Sequence, residues 1–244
     1  MTRVNQTQPE HRDDDGGHTG VAIVLLSGGI DSTTALAMTR AQGRRCHALT
    51  FRYGQRHDVE RAAAARVAAA LGVASHRTID LDLRAVGGSA LTDEIPVPKG
   101  RSDSEIAAGI PVTYVPARNT IFVAYAIGLA EVTGASEIVL GINVLDSSGY
   151  PDCRPDWLAA MQEVARLGTK AGVEQRPLTL RAPLIRMTKA EIITEGSRLG
   201  VDYRLTHSCY DPDPAGAACG GCDACQLRRK GFEEAGVPDP TRYT

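Results

Sequence analysis

Residues 21–38, VAIVLLSGGIDSTTALAM, pass from an uninterrupted apolar run through Ser-Gly-Gly into a pattern with helical spacing. No other stretch constrains the fold as far. Apolar residues without polar alternation suit a strand covered on both faces, and such strands belong to parallel sheets. Cys46–Phe51, His76–Leu81, Glu137–Ile142 and a shorter Leu178–Leu180, ending before Pro183, fit the same role. Helical patterns fall between and after them, at about Ser32–Gln42, His57–Leu71, Asn119–Thr133, Asp156–Ala171 and Lys189–Leu199. Gly43, Gly72, Gly134, Gly172 and Gly200 stand where glycine ends helices. The alternation predicts an α/β protein with an open parallel sheet and helices on both faces.

Three regions depart from this pattern. Residues 1–20 are polar and lack the apolar core of a signal peptide, so a disordered tail and a cytoplasmic setting are expected. Residues 84–117, rich in Gly, Pro and Ser, predict a long loop or lid inside an α/β domain spanning 21–205. Residues 206–244 form a C-terminal segment holding four of the six cysteines. No apolar run is long enough to span a bilayer, so no membrane association is expected. A formal charge of -2 argues against a broad nucleic-acid surface.

The Ser-Gly-Gly turn lacks the Lys of a Walker loop and the glycine spacing of a dinucleotide fingerprint. Ser27, Gly28, Gly29, Asp31, Ser32, Thr33 and Thr34 still gather free N–H groups and hydroxyls at the positive end of a helix. An anion is the expected occupant, and a capped strand-to-helix turn is the bland alternative. Cys209, Cys219, Cys222 and Cys225, spaced C-x9-C-x2-C-x2-C, suit a closed tetrahedral zinc site. Disulfides or an iron–sulfur cluster are the alternatives for the same thiols.

Residues 148–157, SGYPDCRPDW, follow the fourth strand, where open parallel sheets bind ligands. Asp152 and Arg154 could contact a polar planar substrate there and Tyr150 could stack on it. A proline-rich turn with a solvent salt bridge, or a catalytic thiol at Cys153, would explain the stretch differently. Asn119 could cap the apolar helix that follows VTYVPARNT, whereas Arg118 opposes that helix's dipole and suggests a nearby anion. Thr188-Lys189-Ala190-Glu191 fits a capping box that leaves Lys189 free to reach a phosphate. Tyr53-Gly54-Gln55-Arg56-His57 lines a nucleotide pocket or simply turns the chain.

SGGIDSTT resembles the pyrophosphate loop of the ATP pyrophosphatase superfamily. With YGQRH, GGSALT, VPARNTIF, GYPDCRP, TKAGVE, PLIRMTKAEII, SCYDP, CGGCDAC and LRRKGFEEAG in order, residues 21–244 resemble the 7-cyano-7-deazaguanine synthases. That resemblance implies an adenine nucleotide α-hydrolase-like, Rossmann-like fold with a small C-terminal zinc-binding subdomain. It implies a ligase that turns 7-carboxy-7-deazaguanine, ammonia and ATP into the nitrile through adenylated carboxylate and amide, in queuosine and 7-deazaguanine biosynthesis. ATP with Mg2+ would lie along residues 26–36, that is Leu26, Ser27, Gly28, Gly29, Ile30, Asp31, Ser32, Thr33, Thr34, Ala35 and Leu36. Asp31, Ser32, Arg118 and Lys189 would serve catalysis, while Arg118, Asn119, Tyr150, Asp152 and Arg154 would hold substrate. One structural zinc per chain would sit on the four cysteines, and a homodimer is compatible with the family. A tRNA-thiolating enzyme of the same superfamily, a glutamine-dependent amidotransferase and a non-enzymatic zinc-ribbon module are weaker readings. The first needs a persulfide cysteine and a basic surface, the second a further domain, and the third leaves SGGIDS unexplained.

Overall fold

The computed structural model describes residues 20–55, 59–145, 149–176 and 178–244. The expected tail at 1–19, the ends of YGQRH at Arg56 and His57, and Ser148 lie outside them. The strands are β1 (Val21–Leu25), β2 (Arg45–Arg52), β3 (Ser75–Asp80), β4 (Glu137–Val139) and β5 (Thr179–Arg181). They form one sheet in the order β3-β2-β1-β4-β5, with every neighbouring pair parallel. The helices are α1 (Ile30–Ala41), α2 (Val59–Ala70), α3 (Asp103–Ile106), α4 (Arg118–Thr133), α5 (Pro155–Gly168), α6 (Lys170–Val173), α7 (Lys189–Arg198) and α8 (Asp223–Glu234).

Both faces of the sheet are covered. Ile23, Leu49 and Ile138 pack with Val123 and Ala126 of α4 and Met161 of α5. Ala22, Val24 and Val139 point the other way, toward Leu36, Val67, Ile192 and Phe232 of α1, α2, α7 and α8. Successive β1 side chains thus serve opposite cores, which is why the run shows no polar alternation. Its register runs from Val21 opposite Arg45 to Leu25 opposite Leu49. At the other end of the sheet, nearly buried Glu137 is held by Arg44 at 2.5 Å and Arg181 at 3.2 Å.

The expected elements all occur, with three differences. β4 stops at Val139, although Leu140 still donates to the Arg181 carbonyl at 2.8 Å. Gly172 lies inside α6 and ends no helix; Thr169, in extended conformation, separates α5 from α6 and caps α6 through its side chain. Residues 223–234, which show no sheet pattern, form α8 and carry Phe232 into the core.

The strand order reverses between β1 and β4, and α1 begins beside that point. A Cβ on Gly141 would come within 2.7 Å of the Ser32 backbone, so α1 can start this close to β4 only past a glycine. Gly28 has φ +86°, and a Cβ there would stand 2.7 Å from the Glu60 carbonyl and 2.9 Å from Ala63. The first glycine of the pair therefore admits α2, whereas Gly29 faces the crevice. Gly28→Ala is expected to destabilise the fold by about 2–5 kcal/mol through backbone strain and overpacking. Gly29→Ala, with its Cβ at ordinary contact distances, should cost far less. Denaturant titration of both variants separates the roles, and equal losses would contradict this division.

Candidate active site and metal centre

A cavity of about 280 Å³ opens at the carboxyl ends of β1, β2 and β4. At one end lies the Ser27–Ser32 turn. Gly29 caps α1 without any side-chain hydrogen bond, so the first-turn N–H groups keep their capacity for a ligand. Ser27 and Ser32 hold each other, Oγ to Oγ at 3.0 Å, and the Ser27 N–H donates to Ser32 Oγ at 3.1 Å. Asp31 accepts from Lys189 Nζ at 2.6 Å. Lys189 opens α7 inside the expected capping box: Thr188 accepts from the Glu191 N–H, and Glu191 accepts from the Thr188 N–H. Its stem crosses α8 over Gly231, where any Cβ would collide with Lys189 Cγ.

Leu26, Ser27, Gly29, Ile30, Asp31 and Ser32 line the cavity. The rest of the expected nucleotide stretch serves the fold. Thr33 Oγ1 donates to the Gly29 carbonyl at 2.7 Å, Thr34 shares a hydrogen bond with Tyr203 at 2.8 Å, and Ala35 and Leu36 are core residues. Helical periodicity explains the split, since positions that face the cavity at the first turn rotate into the core by the second.

The other end is aromatic and cationic. Arg118 donates to the Tyr53 hydroxyl at 3.3 Å and lies 5.6 Å from that ring's centre. Burial opposes the Arg118 charge, but the oxygens of Tyr53, Tyr150, Tyr210 and Asp152 outweigh it and hold its pKa above the usual value. Asp152 is thus the protein's own anion at the start of α4. It accepts from the Asn119 N–H at 2.9 Å, while Asn119 Nδ2 donates to the Asp152 carbonyl at 3.0 Å. Tyr150 lines the cavity and shares a hydrogen bond with Thr113 at 2.8 Å. Arg154 is exposed and outside the lining, because it starts α5 on the outer surface. Cys153 lines the cavity, but burial and then the Asp152 charge push its thiol up to about 12. A protonated thiol is a poor nucleophile.

The Sγ atoms of Cys209, Cys219, Cys222 and Cys225 lie within 4.8 Å of one another, and three of the four residues are buried. A tetrahedral zinc with Zn–S bonds of about 2.3 Å needs sulfurs about 3.8 Å apart, which this cluster can meet. The Asp211 and Cys219 N–H groups donate to Cys209 Sγ and the Cys222 N–H to Cys219 Sγ, as thiolates require. Cys222 and Cys225 sit at the start of α8, where the helix dipole favours negative sulfur. All six cysteines are free of disulfides.

The cluster also builds the cavity wall. Lys99 bridges to Cys222, the Gly100 N–H donates to Gly221 at 2.8 Å, and Arg101 clamps Asp223 through two hydrogen bonds. Ala90 and Val97 of the 84–117 loop share a small core with the cysteines, and Tyr210 and Asp223 face the cavity. Sequence reading missed Glu60, Tyr210, Asp223 and the nearly buried Arg228. Arg228 binds Asp239, Thr206 and the Tyr203 carbonyl. For Arg228 the charged run LRRKGFEEAG was the available signal: a helical stretch in which one basic residue shares the inner face with a glycine and a phenylalanine.

The fold and the site define a doubly wound α/β protein with a Ser-Gly-Gly turn and an open helix start at the switch point and a four-cysteine cluster beside it. The family model described as queuosine biosynthesis protein QueC matches residues 21–236, and the chain belongs to that family. It is 60% identical over 223 residues to the 7-cyano-7-deazaguanine synthase of Myxococcus xanthus (strain DK1622), covering 91% of this chain and 97% of that one. The synthase of Paramagnetospirillum magneticum (strain ATCC 700264 / AMB-1) is 61% identical over 222 residues, covering 91% and 98%. That of Stenotrophomonas maltophilia (strain K279a) is 59% identical over the same length, again covering 91% and 98%.

Stripping metal with a chelator is expected to raise amide hydrogen exchange across 95–101 and 209–225 while β1 and α1 stay protected. Unchanged protection at 95–101 would show that the loop does not depend on the cluster.

Proposed function

We propose that this chain is an ATP-dependent ligase that makes 7-cyano-7-deazaguanine from 7-carboxy-7-deazaguanine and ammonia. The observation that carries this reading is the open start of α1 beside the Asp31–Lys189 pair, in a chain matching synthases along nearly their whole length. A carboxylate is a poor electrophile, and transfer of AMP to it creates a leaving group that ammonia can displace. Losing the amide oxygen requires a second activation, which the same turn can serve. Ser27, Gly29, Ser32 and the first N–H groups of α1 hold the β- and γ-phosphates, favouring pyrophosphate as it gains charge. Lys189 would neutralise phosphate oxygens, and Asp31 would help hold the Mg2+ that ATP carries. Arg118, Asn119 and Tyr150 orient the substrate's carboxyl end, with Asp152 fixing the start of α4. The cysteine cluster holds zinc in a structural role with no vacancy for substrate.

The expected partners are small molecules, with neither nucleic acid nor membrane among them, in the cytoplasm. Among the described residues no helix is long and apolar enough to cross a membrane. The tRNA-thiolating alternative needs a reactive thiol, and Cys153 is held protonated.

Purified protein should release pyrophosphate from ATP only when the 7-carboxy substrate is present; tRNA-dependent turnover without it would sink the assignment. Asp31→Ala should lower that release by about 10²-fold or more while the chain stays folded, with a lower melting temperature because Lys189 loses its partner. Cys153→Ser should keep most of the activity, and a loss comparable to that of Asp31→Ala would restore the thiol to the mechanism.

A further inference from the structure

Three carboxylates line the cavity among the described residues: Asp31, Asp223 and Glu60. Asp31 is paired with Lys189, and Asp223 is clamped by Arg101. The side chain of Glu60, in the first turn of α2, makes no hydrogen bond or ion pair among the described residues. Its backbone carbonyl is pressed against Gly28, and Glu60 shares the cavity lining with Ser27, Gly29 and Ser32 of the turn. Facing it are the Arg118 guanidinium from α4 and the Tyr53 hydroxyl from the end of β2, with Arg61 next to it on α2.

Ligation with ammonia sets a specific demand. At neutral pH ammonia exists mainly as ammonium, which has no lone pair for attack. We propose that the Glu60 carboxylate is the base that takes the proton from ammonium at the reacting carboxyl carbon. The inference rests on the ligase reading above. The N–H bond of ammonium breaks, its electron pair stays on nitrogen, and the proton goes to Glu60. Nitrogen then bonds to the acyl carbon, the carbon–oxygen bond to AMP breaks, and its electron pair leaves on the phosphate oxygen. The extra proton on nitrogen passes to solvent as the amide forms.

The surroundings suit that task. Burial pushes the Glu60 carboxyl from the usual carboxylate range up to about 7, against the pull of the Arg118 charge. A general base works best when its pKa lies near the operating pH. Asp31 and Asp223 are each already engaged by a cation. The ionised form is the active one, so turnover with ammonium should fall as pH drops through about 7.

The test compares Glu60→Gln and Glu60→Asp with the native, metal-loaded protein in three assays. Carboxylate-dependent ATP–pyrophosphate exchange reports adenylation. Amide and nitrile formation with ammonium reports the complete reaction. Hydroxamate formation with hydroxylamine, already neutral at pH 7, reports acyl transfer that needs no prior deprotonation. Glu60→Gln should keep exchange and hydroxamate formation within about threefold. It should lose about 10²–10⁴-fold in kcat/KM for ammonium, the usual range for a general base. That defect should shrink as pH rises and more free ammonia is present, and Glu60→Asp should recover part of the rate. An equal loss with hydroxylamine, a loss of exchange, or an unchanged ammonium rate would each overturn the proposal. Absence of exchange in the native protein would instead overturn the ligase reading itself.

Discussion

Five helices, α1, α2, α4, α7 and α8, contribute first-turn residues to the rim of one cavity. An all-parallel sheet makes the first part of this unavoidable, because each strand delivers the chain to the same edge before the next helix starts. The consequence is electrostatic. Partial positive charges at the helix starts add up over a small volume, and the side chains at those starts decide what that field receives. Here they are Asp31, Glu60, Arg118, Lys189 and Asp223, three acids among two bases. A site left purely positive would bind any polyanion. One seeded with carboxylates can bind phosphate at the N–H groups and still handle protons nearby.

The cysteine cluster solves a separate problem. The 84–117 loop contributes Arg101 and Ile106 to the cavity but has little helix or strand of its own. A loop of that length loses much conformational entropy when ordered. Its ordering comes from the bridge to Cys222 and the Arg101–Asp223 clamp, both on the segment the four thiols would cross-link through a metal. A closed thiolate site can therefore matter to binding without touching substrate.

Much of this was readable from the chain. β1 showed itself because both its faces are buried, and the capping box at Thr188 was spelled out in four letters. Local patterns could not tell that Asp31 and Lys189, 158 positions apart, would meet at 2.6 Å. Glu60 and Arg228 escaped notice because a charge on a helix usually faces water, and only packing turns these two inward. Arg154 differs in the other direction: its motif lies near the cavity, but after the short turn at 151–153 this residue is exposed and outside the lining. Gly28 reads in sequence as part of the anion turn, and packing gives it a second reason to be glycine. Its missing side chain makes room for α2, a helix that begins 31 residues downstream.

The Asp31–Lys189 pair shows how such a site stays stable while awaiting a highly charged ligand. Two partly buried charges of opposite sign at 2.6 Å neutralise each other, so neither is left uncompensated in the free chain. Under the ligase reading, Mg2+ and ATP together bring a cation and an anion to the same place. Lys189 can then turn to phosphate and Asp31 toward the metal's shell, and each keeps a partner of opposite sign throughout. The exchange would put two new pairs in place of the one resting pair, so binding need not overcome the full cost of separating it. A lone lysine in this position would attract phosphate more strongly but would leave a buried charge unpaired after every product release. The pairing favours release of a charged ligand over tight retention of it.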